Sequence, residues 1–335
     1  MEFISIAFLW YNSEIWDLRF YGIYKKIVYQ HGKEEKMKFQ EFTEKVLEKM
    51  KECLGESYET EIQQIRKNND VLLHGLTIRS KQSNIVPTIY LESFYELYQN
   101  DVSLENIVSK IYNIYQESLP KENIDMNFFK DFNKVKDRIV YRLVHAKRNR
   151  ELLQDVPYIP FWDLAICFSY AFWSEELGDG LILIQNNHME EWGVNYHQLM
   201  QLAEVNTPRL FPVTFYGINE VLKQMHLEID LSECGEEQLY VLTNRQKIYG
   251  AAVILYPQAL TWIAEQLKSD FYILPSSIHE VLVLRKERFH ELQREGKILH
   301  EMSRDINIIQ LSAEEVLSDY PYFYDRSERK LIQIH

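Results

Sequence analysis

The chain has 335 residues, 46% hydrophobic and 26% charged, which is long enough for two domains or one large one, and with only 11 Gly and 9 Pro it is not low-complexity sequence. A formal net charge of −13 has the wrong sign for a dedicated DNA binder or for a protein held on anionic lipid, both of which select basic surfaces. Cys53, Cys167 and Cys234 lie far apart and follow no disulfide or metal spacing; Cys53 and Cys167 sit in apolar patterns and read as buried thiols of a reducing cytoplasm.

Residues 1–36 are unusually aromatic, but the longest apolar stretch, 3–11, is too short to span a bilayer, and neither a basic leader nor a small-residue cleavage site follows. They are expected to be an appendage outside the core. Residues 37–120 are expected to form a first unit. Phe39, Phe42, Val46, Met50 and Leu54 share one side of a helix that Gly55 ends. ETEIQQIRK and DVLLHGLTIRS then read as a hairpin turning at Asn68, Asn69 and Asp70. Ser103 caps a second helix striped by Leu104, Ile107, Val108, Ile111 and Tyr115, and Asp101 and Glu105 suit the positive end of its dipole. The polar KENID at 121–125 reads as a linker.

Residues 121–335 are expected to form a C-terminal region, which opens on alternating strand-like and helical segments. LILIQ has the continuous apolar run of a strand buried on both faces. Neither GxGxxG nor GxxxxGK[ST] occurs, so no nucleotide is expected and no cofactor is assigned. In 134–150, seven Lys or Arg meet one acid, Asp137. Arg138 and Arg142 alternate there with Val140 and Val144, the pattern of a half-exposed strand whose basic face could hold a phosphate or neutralise acidic neighbours. NTPRLFP at 206–212 reads as a helix end passing into a turn, with Arg209 either anchoring a ligand carboxylate or bonding helix-end carbonyls or a buried acid. From 239 to 285, LYVLTN, GAAVILYP, a helix begun by Pro257 and striped by Leu260, Ile263, Ala264 and Leu267, DFYILPSS and HEVLVL make a ββαββ unit. A charged helix at 287–303, a short one at 313–318 and an edge strand in LIQIH close the chain. Hairpin-type pairs outnumber βαβ crossovers, so the fold class is α+β, mostly antiparallel sheets packed with helices.

The chemistry available is concentrated in PSSIHE, where Ser276, Ser277, His279 and Glu280 offer a hydroxyl, a base and a carboxylate. Adjacent residues of a strand point apart, and no GxSxG elbow is present, so a turn built from serine hydroxyls and His279 is the plainer reading. His188, Glu190, Glu191 and His197 lack the paired histidine spacing of a helical metal site and read as a solvated helix start; no metal is assigned.

Several segments resemble one family. In chain order, NIVPTIYLESFYELY, the DVP and DLA of 155–165, HMEEWGV followed by NTPRLFP, YGAAVILYP and FYILPSSIHEVLVL are similar to the uncharacterised bacterial (Firmicutes) family called domain of unknown function 5688. The resemblance covers most of the chain from Met37 onward and implies no activity and no catalytic residue. The expectation is a cytoplasmic, non-enzymatic interaction or regulatory protein whose partner is another protein, with nucleic acid unlikely and no membrane span. A Ser/His hydrolase acting through PSSIHE and a nucleic-acid accessory factor acting through 134–150 are the alternatives.

Overall fold

The computed structural model describes residues 36–80, 86–119, 126–174, 178–218, 220, 239–286, 299–304 and 312–334. Two units divide it: the first comprises the described parts of Met1–Arg66, Leu72–Asp125 and Trp173–Gly180, the second those of Lys67–Val71, Met126–Phe172 and Leu181–His335. The expectations for 1–35, for the KENID linker and for most of the charged helix at 287–303 lie outside the described residues; 299–304 are helical.

In the first unit, helix α1 (Phe39–Leu54) buries Phe42, Val46 and Met50. It ends at Gly55, whose φ of 75° only a residue without Cβ adopts freely and whose N–H bonds the Lys51 carbonyl at 3.0 Å. Strands β1 (Tyr58–Arg66), β2 (Leu72–Ser80) and β3 (Thr88–Tyr90) form an antiparallel sheet in that order. Asn69 and Asp70 turn the β1–β2 hairpin with φ of 61° and 53°, a conformation these short polar side chains tolerate. After α2 (Glu92–Gln99), α3 (Leu104–Glu117) starts where Ser103 Oγ accepts the Asn106 N–H at 3.3 Å. Its buried face, Ile107, Ile111 and Tyr115, joins Phe42, Val46, Met50, Leu76 and Ile78 in one core. Each such side chain contributes roughly 1.5–3 kcal/mol by leaving water. Cys53 departs from expectation: it is exposed, because it lies off the stripe of Phe42, Val46, Met50 and Leu54 that packs on the core.

The second unit contains two sheets, apart from the strand residues within Trp173–Gly180, which fall in the first unit. Strands β4 (Ile139–His145), β5 (Tyr158–Phe161), β6 (Leu164–Ser174) and β7 (Gly178–Leu183) are ordered β4-β6-β5, with β7 also pairing β6. Strands β8 (Val213–Gly217), β9 (Leu239–Asn244), β10 (Phe271–Pro275), β11 (Val281–Arg285), β12 (Tyr322–Asp325) and β13 (Lys330–Gln333) follow the order β13-β12-β10-β11-β9-β8, every neighbouring pair antiparallel. Between β7 and β9 in the chain come helices α4 (Asn186–Trp192) and α5 (Tyr196–Leu210), and between β9 and β10 comes α6 (Ala259–Leu267). One core takes Ile139, Leu143 and Phe168 from the first sheet, Ile263 from α6 and Phe271, Ile273 and Val283 from the second sheet. The fold is α+β with antiparallel sheets, and LIQIH supplies the edge strand β13.

Three local expectations are corrected. GAAVIL is a 3₁₀ turn (Gly250–Leu255) and not a strand, so the ββαββ unit lacks its second strand. Residues 250–254 are wholly buried, and periodicity cannot tell a short buried strand from a buried turn. Helix α6 begins two residues beyond Pro257, after Gln258 in the left-handed region at φ 66°. Residues 313–315 make a turn where a short helix was expected.

A buried polar cluster as the candidate functional site

Strands β10 and β11 pair up to Pro275 and Val281, which leaves Ser276 to Glu280 to close the turn between them. Ser276 and Ser277 are each 6% exposed and His279 is 8% exposed. Ser277 Oγ accepts the His279 and Glu280 backbone N–H groups at 3.0 and 3.2 Å, Ser277 N–H donates to the Glu280 carbonyl at 3.1 Å, and Ser276 Oγ donates to that carbonyl at 3.0 Å. Both hydroxyls therefore hold the turn, as a serine side chain does when it substitutes for a backbone group.

His279 is fixed from the other direction. Its Nδ1 accepts the backbone N–H of Tyr249 at 3.2 Å, which places the proton of the neutral ring on Nε2, and its carbonyl accepts Thr243 Oγ1 at 2.7 Å. Tyr249 reaches this position in the left-handed region, φ 47°. Gly250 follows it so closely against the chain that a Cβ there would stand 2.1 Å from Thr243 Oγ1 and 2.4 Å from the His279 carbonyl oxygen. Packing, and not a turn type, requires this glycine. Glu280, the carboxylate of the motif, has its pKa raised chiefly by burial, with Lys247 opposing and Glu315 adding to the shift.

The Tyr249 ring carries the cluster across to β4. Arg142 Nη1 donates to Tyr249 Oη at 2.8 Å, and the guanidinium carbon lies 4.7 Å from the ring centroid, a cation–π arrangement. Arg142 is 9% exposed, and its Nε has no hydrogen-bond acceptor among the described residues. Cys167, directly opposite on β6, has its thiol pushed up to about 11 by burial, against a smaller downward pull from Arg142. This corrects the expected basic face: every residue of β4 is buried, and Arg138 lies before the strand on an exposed 3₁₀ turn. The alternation of charged and apolar residues was real in sequence but was not an inside–outside pattern, because Arg142 lies along an aromatic ring and not in water.

NTPRLFP clamps the free edge of β4. Helix α5 continues through Pro208 to Leu210. Asn206 Nδ2 donates to the Lys136 and Ile139 carbonyls at 2.9 and 3.1 Å, Thr207 Oγ1 accepts the Tyr141 N–H at 3.1 Å, and Arg209 Nη2 donates to the Asp137 carbonyl at 2.6 Å and to Asn206 Oδ1 at 3.0 Å. An edge strand presents unpaired backbone groups, and this motif supplies side-chain partners for them. Arg209 thus bonds the Asp137 backbone and the Asn206 side chain.

Of the expected site residues, the structure brings His279, Ser277 and Ser276 together in one turn and links His279 to Arg142 through Tyr249; Arg138 and Arg209 are elsewhere. Thr243, Tyr249 and Gly250 escaped the sequence reading, although a glycine opening an apolar run is the signal for close backbone approach. His188 acts at the start of α4, where its Nδ1 accepts the Gln185 N–H at 3.1 Å. Among the described residues, no three His, Cys, Asp or Glu side chains converge as a metal site needs, and no helix is long and apolar enough to cross a membrane.

Residues 39–326 match the model of a family of unknown function, DUF5688, and the chain belongs to that family. No curated protein and no solved structure matches it.

Proposed function

We propose that this DUF5688 protein is a cytoplasmic, non-enzymatic protein that acts by binding another macromolecule, most simply a protein. The observation that carries the reading is the engagement of the PSSIHE side chains. Ser277 Oγ accepts two backbone N–H groups, Ser276 Oγ donates to a carbonyl, and His279 Nδ1 accepts the Tyr249 N–H. A hydrolytic nucleophile needs its hydroxyl turned to a base and its base held by a third group, and here both serine oxygens and His279 Nδ1 are engaged by backbone groups. The burial of Arg142 weighs against the nucleic-acid reading in the same way, since a guanidinium stacked under Tyr249 offers no open face to a phosphate.

The test is to expose the full-length protein to a fluorophosphonate probe and a panel of ester and peptide substrates. The expected result is no labelling of Ser276 or Ser277. Labelling or turnover that disappears in His279→Ala, with the variant still folded by circular dichroism, overturns the proposal in favour of the hydrolase.

A further inference from the structure

The C-terminal end of α6 and the loop joining β12 to β13 line an open surface groove of about 520 Å³. That is within the range of small-ligand sites. Three cations line it, Lys268, Arg326 and Arg329, and none of their side chains has a hydrogen-bond or ion-pair partner among the described residues. Of the two acids present, Asp270 is already engaged: Oδ2 accepts Lys286 Nζ at 3.1 Å and Oδ1 accepts the Arg326 backbone N–H at 3.0 Å. Glu265 lines the same groove as the three positive charges, in a chain whose net charge is −13.

The loop that carries the arginines is internally braced. Asp325 Oδ1 accepts Ser327 Oγ at 2.7 Å and the Glu328 N–H at 2.9 Å, and Arg329 turns the chain into β13 at φ 51°. Arg326 and Arg329 are thereby presented from a fixed backbone, and a guanidinium fork matches the paired oxygens of phosphate and carboxylate. We propose that this groove is a binding site for a small, multiply charged oxyanion ligand, held by Arg326 and Arg329 with Lys268 adding charge. This goes beyond the interaction role and is independent of it: failure of anion binding leaves the non-enzymatic reading untouched.

Isothermal titration of the full-length protein with pyrophosphate, and separately with citrate, at about 50 and about 200 mM salt tests the site and distinguishes phosphate from carboxylate chemistry. Binding of at least one of the two should weaken as salt rises. Arg326→Gln with Arg329→Gln should weaken it about tenfold or more, the scale of losing hydrogen bonds to a charged group. Glu265→Gln, which removes the opposing charge, should tighten it. The groove is overturned if neither anion binds at millimolar concentration, or if binding is the same in wild type and in both variants.

Discussion

Tyr249 donates its backbone N–H to His279 Nδ1 at 3.2 Å, and the same tyrosine receives Arg142 at its hydroxyl and on its ring face. One left-handed residue thus joins the β10–β11 turn to strand β4, and Gly250 makes the approach possible. Gly250→Ala should therefore be among the most damaging single substitutions in the chain. A Cβ cannot stand 2.1 Å from Thr243 Oγ1, and overpacking a close-packed site costs about 1–3 kcal/mol or more. The urea midpoint of the variant should fall accordingly; a midpoint within experimental error of wild type would show that the backbone relaxes freely.

The edge clamp makes a second prediction. Thr207 is 2% exposed and its Oγ1 accepts the Tyr141 N–H at 3.1 Å, so Thr207→Val keeps the shape and leaves a buried donor unpaired. The expected loss is about 1–3 kcal/mol. Equilibrium unfolding of the two proteins side by side provides the value, and a loss below about 0.5 kcal/mol would remove the clamp from the account.

Arg142 and Arg138 should behave differently although the sequence pairs them. Arg142→Ala removes the hydrogen bond to Tyr249, the cation–π contact and the packing of the side-chain stem, whereas Arg142→Met retains apolar volume and removes a buried charge. The alanine variant should be destabilised more than the methionine variant, and exposed Arg138→Ala should stay within about 0.5 kcal/mol of wild type. Equal effects at both arginines would contradict the burial of Arg142 as the deciding factor.

Burial raises the pKa of Glu280 in the folded state. A group raised on folding contributes its stability below its unfolded pKa, about 4.3 for glutamate, and loses it as pH rises through the folded value. The stability of wild type relative to Glu280→Gln should therefore decline as pH is taken from below the ordinary glutamate range to neutrality. Thermal melts of both proteins across that range measure it, and a constant difference would mean that Glu280 titrates alike in both states.

Much of the fold was legible because local chemistry and burial agreed. Ser103 and Gly55 are each determined within a few residues, the left-handed Asn69 and Asp70 are residue types that turns favour, and the α6 stripe of Leu260, Ile263, Ala264 and Leu267 is buried as its spacing requires. GAAVIL was misread because its conformation is imposed by Thr243 and His279, which are neighbours only after folding. Arg142 was misplaced for a related reason: alternation predicts which side chains share a face, but the partner that makes a buried arginine tolerable, Tyr249, is 107 positions away. The hydroxyls of PSSIHE could be read as turn-formers, while the role of the His279 ring depended on Tyr249.

The central claim, that PSSIHE holds the fold and does not perform chemistry, is tested most directly by equilibrium urea unfolding of the full-length protein and His279→Ala. Removing the ring leaves the Tyr249 N–H without its acceptor, so the account predicts a lower midpoint, with a lost hydrogen bond of about 0.5–1.5 kcal/mol and an unpaired buried donor of about 1–3 kcal/mol as the scale. A midpoint unchanged or raised in His279→Ala, the behaviour of catalytic groups held at the expense of stability, would contradict it.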